Sequence, residues 1–227
     1  MADRSTPTPE PAKYAAYAVF VTIAALLVFS FVSTSRDGEL RRRCAATCLM
    51  RPNYAGANRV APDFELTDVR GHKVSLSSYR GKVVVLNFWS RTCGPCLEEM
   101  PDLAELTHVL KPKSDVAVVT VSTDEDVEQV KNTLKSILKD DVPFPVLMDP
   151  DAKIVSGRYG TSLYPETWII DKRGVIRARF DGQREWSGSA IVEMVDQIRG
   201  GGYCPVEAKD GEFLGDGAKL CESMTGG

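Results

Sequence analysis

From Tyr14 to Val32 the chain runs for 19 residues without a charge. At ~1.5 Å of rise per residue, a helix of that length nearly matches the ~30 Å hydrocarbon core of a bilayer. A cleaved signal peptide has a shorter apolar region, ~7 to 15 residues, and the small-residue stretch Ser33-Thr34-Ser35 is a weak cleavage site. The pattern therefore predicts a retained, single transmembrane helix over residues 14–34. Residues 1–13, with prolines among small polar residues, read as a disordered tail. Residues 35–59 lack apolar periodicity and read as a tether.

Beyond position 60 the pattern changes to that of a packed domain, residues 60–200. Phe64-Glu65-Leu66 and Val74-Ser75-Leu76, bracketing Gly71, predict a hairpin, and Val83–Phe88 is a continuous apolar run suited to a strand buried on both faces. Leu97, Met100, Leu103, Ala104, Leu106 and Leu110 recur at helical spacing, with Pro101 expected to bend that helix. Val116–Val121 predicts a second buried strand, Val127–Leu138 an amphipathic helix, Phe144–Met148 a third strand and Ile154–Tyr159 a short helix. Thr167–Ile170 and Val175–Phe180 flank Lys172-Arg173-Gly174 as a second hairpin, and Ala190–Ile198 is a last helix closed by Gly200-Gly201-Gly202. This order requires an α/β fold, a mixed sheet covered by helices on both faces. Residues 201–227 read as a Gly-rich, Cys-containing tail.

A composition of 43% hydrophobic and 26% charged residues is that of an ordinary globular protein, and 227 residues leave room for one domain plus appendages. The net charge of -3 and the lack of an aromatic-basic patch argue against nucleic acid as a partner.

Cysteine placement carries the chemistry. Cys93-Gly94-Pro95-Cys96 lies where the first long strand gives way to a helix. Two intervening residues let both sulfurs meet across one helical turn, so a mixed disulfide on Cys93 can be resolved by Cys96. Unpaired N–H groups and the positive dipole end at a helix start favour a thiolate. Pro95 suits the first turn, where its missing N–H costs nothing. A zinc site would need further ligands, and the core offers only His72 and His108, read as surface residues without a role; no metal and no bound cofactor are expected. The remaining four cysteines, Cys44, Cys48, Cys204 and Cys221, form an even set in the flanks and read as disulfide staples whose pairing has three possible solutions.

The segment from Val60 to Arg199 resembles the thioredoxin fold of the membrane-anchored TlpA/ResA/CcmG type. The resemblance rests on Ala61-Pro62-Asp63-Phe64, Gly81-Lys82, Asn87-Phe88-Trp89, the Cys93–Cys96 turn, Glu99-Met100-Pro101, the unit over 127–148 and Pro165-Glu166-Thr167. It implies that Cys93 is the attacking thiolate and Cys96 the buried resolving thiol, and that Pro165 is a cis-proline freeing the backbone of Tyr164 to pair with substrate. It also implies an active-site role for Glu99, which lies one helical turn after Cys96; true thioredoxins carry an Asp where this chain has Asn87, so Glu99 is the expected proton acceptor. Trp89 and Trp168 are expected to wall the site or to pack in the core. Thr92 stands where relatives commonly have Trp. Gly94-Pro95 is the dipeptide of reducing thioredoxins and favours a reductant.

The resemblance implies a protein disulfide reductase acting on disulfide-containing proteins, with apocytochrome c as the family's candidate substrate and a membrane dithiol carrier as electron donor. A peroxiredoxin-like thiol peroxidase would need Pro and Thr where Leu86 and Ser90 stand. A copper-delivery module would need Cys-x-x-x-Cys and a downstream His, and no His follows His108. Orientation is contested by two signals. Arg36, Arg41, Arg42 and Arg43 follow the span while only Arg4 and Lys13 precede it, which would hold the domain in the cytoplasm. Stapling cysteines need an oxidising compartment, and long C-terminal domains translocate despite flanking charge. The expectation is therefore a cytoplasmic (inner) membrane protein with its domain facing the periplasm or exterior.

Overall fold

A computed structural model describes residues 11–52, 59–139, 141–209 and 212–225. The chain divides into two compact units, Met1–Arg42 and Arg43–Gly227. Helix α1 spans Pro11–Met50 and is long and apolar enough to cross a membrane. Within the first unit Phe20, Phe29 and Phe31 are exposed, as a lipid-facing surface requires. Residues 1–10, most of the expected tail, lie outside the described residues.

The tether expected over 35–59 is instead helical as far as Met50, and 53–58 lie outside the described residues. Glu39 and Arg42 pair one turn apart, and Ala, Leu and Arg suit a helix. The buried face of the last turns is made by Cys44, Ala46, Thr47 and Cys48. These residues are too small to register as an apolar stripe. Cys44 is bonded to Cys204 and Cys48 to Cys221, which selects one of the three possible pairings. The expected tail is likewise structured: strands β8 (Glu207–Lys209) and β9 (Glu212–Leu214) form a hairpin, followed by helix α5 (Asp216–Thr225).

The domain is built on seven strands: β1 (Glu65–Asp68), β2 (Lys73–Ser75), β3 (Val83–Trp89), β4 (Val116–Ser122), β5 (Val146–Met148), β6 (Glu166–Ile170) and β7 (Ile176–Asp181). Their order is β2-β1-β5-β4-β3-β6-β7. β3, β4 and β5 are parallel, whereas β6 runs antiparallel to β3 and to β7. Helices α2 (Gly94–Leu110), α3 (Val127–Leu138) and α4 (Ser189–Arg199) complete the set. Because β3, β4 and β5 succeed one another in one direction, two right-handed crossovers place α2 and α3 on the same face. Leu103 and Leu106 of α2, Leu134 of α3, and Ile191 and Val195 of α4 share one apolar cluster with Val83, Val85 and Trp89.

The opposite face, where a helix was also expected, carries no long helix among the described residues. A single 3-10 turn at Leu76–Tyr79 and the connection from β5 to β6 cover Val84, Leu86, Phe88 and Trp168. The helix expected at Ile154–Tyr159 is a series of turns: Gly157 N donates to Ala152 O and Thr161 N to Val155 O, both wider than the α-helical span or displaced from its repeat. Tyr159 replaces a helix face by stacking edge-on against Phe88 and Trp168 at 5.0 and 5.4 Å.

Candidate active site

The site forms where β3 ends. All seven residues of β3 are buried, so the strand is fixed up to Trp89, and Ser90–Thr92 turns the chain into α2. Cys93 is the N-cap of that helix with extended backbone angles, and its sulfur accepts the Cys96 N–H at 3.2 Å. Pro95 occupies the first turn. Cys93 and Cys96 are joined as a disulfide. Cys96 is fully buried while Cys93 is only partly covered, so an incoming sulfur can reach the first cysteine and not the second. Gly94 and Pro95 are exposed at the tip.

Across the sheet, the Tyr164–Pro165 peptide bond is cis. The Pro165 carbonyl accepts from Gly182 N at 2.8 Å, tying this turn to the loop that follows β7. Tyr164 and Cys93 both pack on the helix-side cluster. Leu163, which precedes Tyr164 in the chain, is 78% exposed.

Glu99 is 1% exposed in spite of its charge-bearing group. Its Oε1 accepts from Asn87 Nδ2 at 2.8 Å, and its Oε2 accepts from the Trp186 indole N–H at 2.8 Å and from Arg184 N at 3.3 Å. Burial pushes the carboxyl up to about 7; the three hydrogen bonds pull it down only partly, and Asp102 adds a smaller upward push. A carboxyl in that range exchanges protons at neutral pH, which a surface Glu does not. Asn87 also donates to Thr167 Oγ1 at 2.9 Å, its register partner on β6, while its Oδ1 has no partner among the described residues.

The two tryptophans read from the sequence occupy the core. Trp89 is fully buried beneath the site and has no surface to offer a substrate. Trp168 is on the far face, because period-2 alternation along β6 sends it opposite to Thr167 and Ile169. Glu166 also points to that far face, held by the Thr161 hydroxyl and by Arg179 at 3.5 Å, and burial pushes its carboxyl up. His72 and His108 are exposed, in the β1–β2 turn and near the end of α2.

Sequence reading missed Asp124 and Trp186. Asp124 Oδ2 accepts from Arg91 N and from Ser122 Oγ, both at 2.7 Å, and Oδ1 accepts from Ser90 Oγ at 3.2 Å. It thereby clamps the turn leading into Cys93. The available signal was topological: β3 and β4 are parallel with Trp89 opposite Ser122, so the loops after them must meet. Trp186 was signalled only as a lone aromatic in the polar run from Gly182 to Ser189.

Comparison with known proteins places this arrangement. The AhpC/TSA family model matches residues 57–179. The thiol-disulfide oxidoreductase ResA of Bacillus cereus is 38% identical over 124 residues, covering 55% of this chain and 69% of the relative. The thioredoxin-like protein YneN of Bacillus subtilis is 37% identical over 117 residues, 52% of this chain and 66% of its own length. Among solved structures, the pneumococcal exposed lipoprotein thioredoxin Etrx1 of Streptococcus pneumoniae is 33% identical with a TM-score of 0.51, covering 60% of this chain and 99% of that one. The thioredoxin domain of a thiol-disulfide oxidoreductase from Bacteroides vulgatus is 25% identical with a TM-score of 0.54, covering 64% and 99%.

Proposed function

We propose that this chain, which belongs to the AhpC/TSA family, is a thiol-disulfide oxidoreductase that reduces disulfides of protein substrates through Cys93 and Cys96. The observation that carries the reading is the asymmetric pair at the start of α2, with Cys93 open and Cys96 buried. Relatives named thiol-disulfide oxidoreductase support it.

In the reduced protein the Cys93 thiolate attacks one sulfur of a substrate disulfide, forming a mixed disulfide and expelling the other sulfur as a thiolate. Cys96 then loses its proton, attacks the Cys93 sulfur, closes the Cys93–Cys96 bond and releases the second substrate thiolate. Two electrons pass to the substrate. Cys96 must ionise in surroundings that disfavour charge, and Glu99, one turn further along α2 with its carboxyl near 7, is the proton acceptor. The backbone of Tyr164, ahead of Pro165, receives an extended substrate segment, and Gly94-Pro95 shapes the reactive turn. A peroxidase reading lacks its own signature, since Leu86 and Ser90 stand where Pro and Thr are needed.

The finer reading is a single-pass protein of the cytoplasmic membrane, anchored through residues 14–34, whose domain faces the periplasm or exterior. The Cys44–Cys204 and Cys48–Cys221 bonds support an oxidising compartment. Substrates are then extracytoplasmic proteins, apocytochrome c being the candidate, and a membrane dithiol carrier restores the reduced pair.

Trapping tests the reading. Cys96→Ala leaves the mixed disulfide unresolved, so adducts on Cys93 should accumulate and be identifiable by mass. Adducts that persist in a Cys93→Ser, Cys96→Ala double variant would overturn the assignment of the attacking residue.

A further inference from the structure

The loop joining β7 to α4 reaches back over α2 at two places one helical turn apart. Trp186 and the backbone of Arg184 bond the Glu99 carboxyl, and Ser187 Oγ donates to Asp102 Oδ1 at 3.1 Å. Trp186 is fully buried, and its ring stands edge-on to Phe180 at 5.7 Å. Packing therefore fixes the direction of its N–H, and a donor that cannot swing away is worth most in a site that excludes water.

We propose that Trp186 is a positioning residue for the reaction, its indole N–H holding Glu99 in the ionised form that accepts the Cys96 proton. The inference rests on the proposed role of Glu99 and deepens it. The arithmetic of the site favours this device. Oε1 is served by a side-chain amide, and Oε2 by the indole N–H at 2.8 Å and a longer backbone bond at 3.3 Å. Removing the indole donor strips Oε2 of its better partner. Among the described residues the carboxyl meets the neutral Asn87 amide of β3, the Trp186 indole and the Arg184 backbone of the loop, and Asp102 on its own helix is its charged neighbour. Burial, and to a smaller degree Asp102, oppose ionisation, and the three hydrogen bonds counter them.

The test is Trp186→Phe in the full chain in detergent, which keeps an aromatic ring and deletes the donor at the cost of a small cavity, for which the shape-preserving replacement below controls. A charge-assisted hydrogen bond of ordinary strength corresponds to an upward shift of about 1 to 2 pH units in the Glu99 titration. That titration is followed by carbon-13 NMR of labelled Glu carboxyls in the oxidised protein, where the active cysteines do not titrate, with Glu99→Gln identifying the signal. An unchanged titration overturns the proposal. Should Phe fail to fold, site-specific replacement by the sulfur isostere benzothienylalanine keeps the shape without the N–H and must give the same shift.

Kinetics separate this inference from the reading beneath it. Reduced protein is mixed with oxidised glutathione, and the release of the second glutathione by Cys96 is timed across pH. A resolution profile that moves alkaline with the NMR titration supports both. An NMR shift with an unmoved profile overturns Glu99 as proton acceptor, and with it the positioning role.

Discussion

Replacing Glu99 by Gln should make the oxidised protein's stability less dependent on pH. In the native chain burial raises this carboxyl from 4.5 to about 7, so between those values the folded state holds a proton that the unfolded state has lost. Stability contributed by that proton is fully present below the unfolded value and disappears as pH rises through the folded one. A shift of roughly 2.5 units at about 1.4 kcal/mol each corresponds to roughly 3 to 4 kcal/mol lost between about pH 4 and about pH 8.5. Gln has no such titration. Its amide would meet Asn87 Nδ2 donor to donor, but Asn87 Oδ1 has no partner among the described residues, and rotating the Asn87 amide presents that oxygen instead. This rearrangement adds a pH-independent offset on the order of 1 kcal/mol. Urea unfolding of both oxidised proteins in detergent, followed by the fluorescence of the buried Trp89, Trp168 and Trp186, measures the difference. The other shifted carboxyls, Asp68, Asp115, Asp126, Asp171 and Glu166, titrate in both proteins and cancel. A stability difference that stays flat across that range refutes the reasoning, because it would mean that the folded protein does not hold the Glu99 proton.

In the reduced protein, Glu99→Gln should still form the mixed disulfide but resolve it on the order of 100-fold more slowly near neutrality, a defect that shrinks as pH rises and Cys96 ionises unaided; stopped-flow mixing with oxidised glutathione reads both steps. Asp124→Ala removes the acceptor of Arg91 N, Ser90 Oγ and Ser122 Oγ and should cost about 1 to 3 kcal/mol in urea unfolding, with a slower Cys93 attack. Changing Cys44 and Cys204 together to Ala leaves Cys48–Cys221 joining the same two segments and opens only the small ring made of residues 44–48 and 204–221; it should cost roughly 2 to 4 kcal/mol, measured by thermal unfolding at neutral pH. A membrane-impermeant thiol reagent applied after reduction to cells stripped of any outer membrane should label the domain; labelling that appears only after the inner membrane is broken would reverse the orientation.

The strands and helices between Val60 and Arg199 were readable because large apolar residues repeat at the spacing each element requires. β3 and α3 show this best: a run of valines and leucine before Asn87, and Val127, Val130 and Leu134 at helical intervals. The reactive turn was readable because its chemistry is local, two cysteines three positions apart. What stayed hidden was nonlocal or carried by small residues. The last turns of α1 bury Cys44, Ala46, Thr47 and Cys48, none of which weighs in a hydrophobic pattern. Trp186 meets Glu99 across 87 positions of sequence, and Asp124 meets Arg91 only because β3 and β4 lie side by side. The tight chain of turns over 154–161 imitates a helix in composition, yet the bonds at Gly157 and Thr161 break its repeat.

The two bonds from the end of α1 to the C-terminal segment make the domain a covalent ring. A protease cutting anywhere between Cys48 and Cys204 produces two polypeptides that remain joined by both disulfides. Such a nick cannot shed part of the domain from the anchoring helix. Under oxidising conditions, release of the whole domain requires cleavage ahead of Cys44; under reducing conditions the same nicked molecule comes apart. The staples thus convert internal proteolysis from a loss of the domain into a scar that it carries.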